Sequence, residues 1–367
     1  MPYESSVPYR AGTAGYASFR IPACVRAPDG TVLAFAEGRV HSSADSGDID
    51  LVLRRSADGG RTWGPLTVVA ANPRGTAGNP APVVLADGRL LLVYVCSAAE
   101  ATEERIRRGE VSPADGRRVW LRHSDDAGAS WSAPREITEA VKAPEWRWYA
   151  TTPGHALQLS TGRVVVPANH SLPPTDPAHD GTEGRYNGGH CLLSDDAGAT
   201  WRLGYVDDAP DGYVNVNETT AAELPDGTVY FNTRNDSDVP AHRADARSAD
   251  GGVTLTAPFA PRPELIAPVV EAAVLHLAEA GLLLLSAPSH PETRHRMAVR
   301  VSEDDGTTWR TGITVDERRA AYSDLVRLDD ATVGLLHETG DDSAYETITF
   351  RRIPVADLLR GTATGPR

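Results

Sequence analysis

The basic chemistry of this chain is almost wholly guanidinium. Of its 36 basic residues only one, Lys142, is a lysine. Any anion site must therefore be built from arginine, whose planar fork pairs with a carboxylate through two parallel hydrogen bonds. Several arginines stand where strands begin or end. Arg20 directly precedes the apolar strand entry Ile21-Pro22, and Arg39 closes Glu37-Gly38-Arg39 after the strand-like run from Thr31 to Phe35. Arg234 ends the run that starts at Val229, sixteen residues after Glu218 opens another run, with the turn Pro225-Asp226-Gly227 between them. A hairpin brings such a pair to one end of a sheet, where alone it is an ordinary cross-strand ion pair. Arg294, Arg296 and Arg300 share one run, and Asp45, Asp48 and Asp50 crowd the segment after Arg39. The chemistry such a set could serve is anion recognition beside carboxylates able to move protons.

The elements that must position these residues are marked by a repeated octet: Ser, any, Asp, any, Gly, any, Thr or Ser, Trp. It occurs at Ser56–Trp63, Ser124–Trp131, Ser194–Trp201 and Ser302–Trp309, with a degenerate copy at Ser248–Leu255. Each copy follows a β-type run, and the copies start 68, 70, 54 and 54 residues apart. The composition suits a tight hairpin turn. Asp accepts from nearby backbone amides, Gly takes a positive φ, and Trp returns to the core as an apolar anchor. Repeats of this length built on strand pairs predict propeller blades. With 33 Gly, 27 Pro and few helix-period segments, the chain is expected to be all-β: a six-bladed β-propeller of four-stranded antiparallel blades, one domain over residues 1–367, its last blade completed by N-terminal residues.

The formal net charge of −14 argues against nucleic acid or an anionic membrane as the main partner. No apolar run approaches the ~18 residues that span a bilayer. Cys24, Cys96 and Cys191 are too few and too scattered for a zinc site or a disulfide framework, and read as small buried hydrophobes. His170, His179 and His190 lack a ligand spacing, so no metal is expected. Met1-Pro2-Tyr3-Glu4 does not open a signal peptide, so a cytoplasmic, monomeric protein is expected, with secretion open if the chain is trimmed. Glu100 to Gly116 reads as an exposed insertion with a solvated charged face. Ser171 to Asn187 reads as a long surface loop, a common carrier of function.

Four of the five octets resemble in full the Asp-box of sialidase-type propellers, which in that family is a fold signal away from the active site. Phe19-Arg20-Ile21-Pro22, Phe35-Ala36-Glu37-Gly38-Arg39 and the Asp-box that follows resemble the first blade of an exo-α-sialidase. Pro153-Gly154-His155, Asn217-Glu218, Thr233-Arg234-Asn235 and Tyr322-Ser323-Asp324-Leu325 extend the resemblance over nearly the whole chain. The resemblance implies hydrolysis of terminal sialic acids from sialylated glycans, without cofactor or metal. It makes Arg20, Arg234 and Arg294 the clamp on the substrate carboxylate, and turns Arg39 toward the pocket. Tyr322 is then the nucleophile, Glu218 its base, and Asp45, by its distance from the first Asp-box, the acid/base. Asp48 and Asp50 read as structural. Glu338 or Glu346 would hold Arg20. Trp148 and Tyr149 would line the pocket or pack in the core. A phenol suits this chemistry because a carboxylate nucleophile would be repelled by the carboxylate on the anomeric carbon. Trans-sialidases, including intramolecular ones, share these residues, whereas a non-catalytic sialic-acid-binding propeller would lack Tyr322, Glu218 or Asp45, and all three are present.

Overall fold

Strand after strand pairs antiparallel with its neighbour in sequence. The computed structural model describes residues 3–73, 75–208, 213–237 and 242–360; Met1 and Pro2, on which the leader expectation partly rests, lie outside them. Ser18–Arg26, Val32–Arg39, Ile49–Ser56 and Thr67–Ala70 form one meander. Gly75–Val84, Leu90–Ala98, Arg118–Ser124 and Arg135–Glu136 form the next. A third has a first strand split into Tyr149–Thr151 and Leu157–Gln158, then Val164–Ser171, Asn187–Ser194 and Arg202–Asp207. Val216–Glu223, Val229–Asn235, Ala244–Ser248 and Ala260–Pro261 follow. Ala273–Leu277, Leu282–Pro288 and His295–Ser302 then lead into the long strand Arg310–Asp329. The second half of that strand pairs with Thr332–Gly340, which pairs with Thr347–Pro354. Glu4–Arg10 adds to the far edge of Thr347–Pro354, so the two ends of the chain meet in one sheet, as expected.

The first strands of successive meanders pack on one another. Ser18–Arg26 touches Gly75–Val84, which touches both halves of the split strand. Leu157–Gln158 touches Val216–Glu223, which touches Ala273–Leu277, and Arg310–Asp329 touches both Ala273–Leu277 and Ser18–Arg26. The sheets therefore stand in a closed ring with their first strands innermost.

All five octets make the same turn. In the copy at Ser124, the hydroxyl donates to Asp126 Oδ1 and accepts from the Gly128 amide, while Asp126 accepts from the Ser130 amide and hydroxyl. The degenerate copy keeps every one of these bonds, between Ser248, Asp250, Gly252 and Thr254. The hydrogen bonds hold the Asp126 carboxyl down at about 2. Gly128 has φ 77° and the residue before it, Ala127, 51°, the paired left-handed conformations of a type I′ turn. The turn also seals the ring. A Cβ on Gly128 would meet the Leu33 side chain at 2.5 Å, and Trp131 packs edge-on against Phe35, both in the preceding sheet. Trp63 meets Phe350, and Trp309 meets Tyr230, in the same sense. These three tryptophans thus anchor one sheet to the previous one.

The charged insertion departs from expectation. Glu103–Arg108 forms a short helix, capped by the Thr102 hydroxyl and closed by Gly109 at φ 76°. Glu104, Arg105 and Arg108 do face solvent, but Ile106 and Arg107 are buried. Arg107 donates to the carbonyls of Gly181 and Glu183, tying the helix to the loop between Ser171 and Asn187. No helix among the described residues is long and apolar enough to cross a membrane.

Candidate active site

Four of the innermost strands slip register. The slips fall between Arg20 and Ala23, Gly78 and Ala81, Val216 and Thr219, and Ala320 and Ser323. A bulge re-aims side chains, and here Arg20, Ile21, Asn79, Asn217, Glu218 and Tyr322, all within the slips, line one cavity of about 310 Å³. Ile21 has φ 59° and Asn79 53°. For a β-branched residue that is a true outlier, costing on the order of 1–3 kcal/mol.

Carboxylates from other segments take backbone amides within or beside the slips. Glu338 Oε1 accepts from the Ile21 amide at 2.9 Å and Oε2 from the Tyr322 amide at 3.1 Å. Glu37 accepts from the Asn79 amide at 2.8 Å, and Glu271 from the Ser323 amide at 2.9 Å. The bulges are thus held across strands, two of them by the single carboxylate of Glu338.

The cavity gathers Arg20, Arg234 and Arg294. Arg20 Nε donates to Glu338 Oε1 at 2.8 Å, and its guanidinium lies 3.9 Å from the centre of the Tyr345 ring. Burial disfavours the charge on Arg20, but Glu338, together with Tyr345 and Tyr322, outweighs it and holds the group above the ordinary arginine value. Arg234 donates to Glu218 at 2.9 Å, to Asp236 at 2.8 Å and to the Tyr322 hydroxyl at 3.3 Å. Arg294 donates to the Tyr345 hydroxyl at 3.0 Å and the Val269 carbonyl at 3.1 Å. Six arginines and five carboxylates line the cavity, with Glu338 paired behind Arg20, so its charges are close to balanced inside a chain of net charge −14.

Tyr322 donates its hydroxyl proton to Glu218 Oε1 across 2.5 Å. Burial first, then the Glu218 carboxylate, pushes the phenol well above 10, while Arg234, Arg294 and Arg20 pull the other way. A phenol so placed can pass its proton to the carboxylate as its oxygen attacks an electrophile. Asp45 stands at the mouth, 2.7 Å from Arg39 and 3.6 Å from Arg20. Burial would raise its carboxyl, but Arg39 and Arg20 hold it below the usual value. Arg39 also pairs with Glu37 at 2.6 Å.

Of the two carboxylates expected to support Arg20, Glu338 is in contact and Glu346 is not. Glu346 lies in the turn before Thr347–Pro354 and accepts from the amides of Asp341, Asp342 and Ser343. Asp50 accepts from the Tyr16 hydroxyl at 2.8 Å, away from the cavity lining. Arg296 pairs with Glu317 on the surface, and Arg300 is buried beside the Ile266 carbonyl. Trp148 lines the cavity, whereas Tyr149 packs in the core. Sequence reasoning missed Tyr345, Asn79, Asp236, Arg117, Glu103 and Arg107, all in the lining. Only Asp236, two residues past Arg234, was within reach of local reading. Cys24 and Cys191 are buried and Cys96 half-buried, all free thiols. No group of three or more His, Cys, Asp and Glu among the described residues could hold a metal ion.

Residues 30–337 match the BNR repeat-like domain. An exo-alpha-sialidase of Aspergillus fumigatus is 31% identical over 95% of this chain and 86% of its own length. A sialidase of Bacteroides fragilis is 29% identical over 95% of this chain and 64% of that protein. Among solved structures, the Hadza microbial sialidase Hz136 superposes with a TM-score of 0.81 at 25% identity, covering 96% of this chain and 69% of that one.

Proposed function

The chain belongs to the BNR-repeat sialidases, and on that premise we propose that it removes terminal sialic acids from glycoconjugates, with retention, through Tyr322. The observation that carries the mechanism is the Tyr322–Glu218 hydrogen bond inside a cavity rimmed by Arg20, Arg234 and Arg294. Those arginines come from separate sheets, so only the ring axis brings them together. The strand pairings support six blades of four strands in a single domain, with the long strand Arg310–Asp329 shared between two of them.

In this reading the substrate carboxylate docks between the three guanidinium groups. The Tyr322 oxygen attacks the anomeric carbon while its proton passes to Glu218, and the glycosidic C–O bond breaks as Asp45 protonates the leaving oxygen. Water activated by Asp45 then cleaves the tyrosyl–sugar bond, and Glu218 returns the proton to the phenol. Asp45 needs a proton for the first step, yet Arg39 and Arg20 hold its carboxyl below the usual value. A bound carboxylate offsets the Arg20 charge and displaces water, and both effects raise the Asp45 carboxyl.

The test is Tyr322→Phe, which removes one oxygen and keeps the ring packing. Turnover of an aryl sialoside should fall by orders of magnitude while the fold survives. With a fluorinated sialosyl fluoride, the wild type should gain one sugar on the peptide containing Tyr322. A label on another residue, or near-normal turnover in the Phe variant, rules the mechanism out. Product identification with a sialyllactose pair separates hydrolysis from transfer or anhydro-sugar formation.

A further inference from the structure

The single lysine of this arginine-rich chain sits against the active-site wall. Lys142 closes the short helix Thr138–Val141, and its Nζ donates to the Arg117 carbonyl at 2.9 Å and the Arg147 carbonyl at 3.2 Å. Those two backbone segments carry one side of the sialidase cavity. Arg117 is buried, stacks 4.1 Å from the Trp148 ring centre and donates to Asn79 Oδ1 at 3.2 Å. Trp148 directly follows Arg147, and both Arg117 and Trp148 line the cavity. One ammonium therefore holds the main chain of both halves of a stacked pair.

Lys142 also lines a second cavity, of about 720 Å³, and Arg117 lines both cavities. The charged groups around that space are Arg117, Arg147, Glu139 and Glu145, and no carboxylate among the described residues forms an ion pair with Lys142. Burial first, then the Arg117 charge, lowers the amine to about 8. At pH 7 roughly a tenth of it is then the free base, about two hundredfold more than for an ordinary lysine. The second cavity, at about 720 Å³, is wide enough to admit a small acyl donor.

We propose that Lys142 is an acylation site coupled to the sialidase pocket. An activated acyl donor, of the acyl phosphate or thioester class, loses its leaving group as the Lys142 nitrogen forms an amide bond to the carbonyl carbon. The departing phosphate or thiolate takes the bonding pair, and the amine proton goes to solvent. A three-donor cation becomes a neutral amide with one N–H. It can serve one of the two carbonyls, so the Arg117 and Arg147 segments part and the Arg117–Trp148 wall loses its register.

The experiment treats the full-length protein with acetyl phosphate at pH 8 and maps the adducts by peptide mass. Turnover of an aryl sialoside and tryptophan emission are followed in parallel. Acetylation should fall on Lys142 and the N-terminal amine. KM should rise about tenfold as Lys142 occupancy grows, roughly the worth of one charge-assisted hydrogen bond. Lys142→Arg keeps donors for both carbonyls but cannot be acylated under these conditions, so it should retain turnover before and after treatment. An unlabelled Lys142 beside a labelled N-terminus overturns the proposal, as does full occupancy without a kinetic change or equal loss in Lys142→Arg. The coupling rests on the sialidase reading, but the label does not. If untreated protein turns over no sialoside, that reading fails alone, and the acylation proposal is decided by the label and by a change in tryptophan emission on treatment that Lys142→Arg does not show.

Discussion

Replacing Glu338 with Gln tests how the site is held. The carboxylate is fully buried and serves three donors: Arg20 Nε, the Ile21 amide and the Tyr322 amide. Gln offers one acceptor oxygen and one NH₂ group. In either orientation the NH₂ faces a donor, so either Arg20 and Ile21 or Tyr322 loses its acceptor. Arg20 also loses its buried counter-ion, and breaking such a pair from one side costs about 3–5 kcal/mol. At about 2.1 cal/mol/K per residue, a 367-residue chain has an unfolding entropy near 0.8 kcal/mol/K, so Tm should drop by about 4–6 °C. Function should suffer beyond stability, because the amide bond holds Ile21 at its positive φ. Once released, the bulge can relax toward regular pairing and turn Arg20 out of the cavity. The assay is calorimetric melting alongside kcat and KM for an aryl sialoside, with Glu346→Gln as control. That residue touches only turn amides and should leave KM unchanged. A Tm within about 1 °C of wild type, or equal KM values for the two variants, refutes the tethering argument.

Other outcomes follow from the same geometry. Arg20→Lys, Arg234→Lys and Arg294→Lys should each weaken binding of an unsaturated sialic acid analogue in calorimetry, since a fork becomes a point charge; unchanged affinity in all three would dismiss the clamp. Asp45→Asn should cost roughly 10²–10⁴-fold with an alkyl sialoside and far less with a nitrophenyl one, whose leaving group needs little protonation; equal losses would remove Asp45 from the acid role. Burial opposes the charge on His155, but Asp324, 2.6 Å away, wins and raises it above its ordinary value. That contribution is complete below about pH 6.5 and fades as pH rises through the higher folded value, so Tm should decline from pH 6 to 8 in wild type and less in His155→Asn. A parallel decline in both proteins would show that the pair contributes nothing.

The turns were legible because everything they need is local. Serine, aspartate, glycine and threonine sit within seven positions and satisfy one another, so even the copy that lost its tryptophan closes identically. The tryptophans were half legible: their apolar character shows, but the sheet they pack against is set by the ring. Strand alternation does not decide between Glu338 and Glu346, because Glu346 sits in a turn and the contact with Arg20 is made only where the ring closes, over three hundred positions away. The Glu100–Gly116 segment misled for a related reason. Its charge pattern describes a solvated helix, and half of it is one. Arg107 is drawn inward by two carbonyls more than seventy positions away, which no local reading can supply.

Those cases share a physical cause that also explains how the site works. Regular strands around a ring would point their side chains across the pleat, above and below each sheet, and not along the axis. The slips in the inner strands turn arginine, asparagine, glutamate and tyrosine into the central cavity, at the cost of Ile21 held against its preference. Each amide at Ile21, Asn79, Tyr322 and Ser323 is answered by a buried glutamate, and for Ile21, Tyr322 and Asn79 that glutamate comes from the second strand of a meander. Glu338 joins the strand bearing Arg20 to the strand bearing Tyr322, which are over three hundred positions apart and meet only where the ring closes. Arg20 and the phenol are therefore set by closure itself. Loosening the pairing of Glu4–Arg10 with Thr347–Pro354 would disturb Arg20 and Tyr322 together, although neither touches that edge.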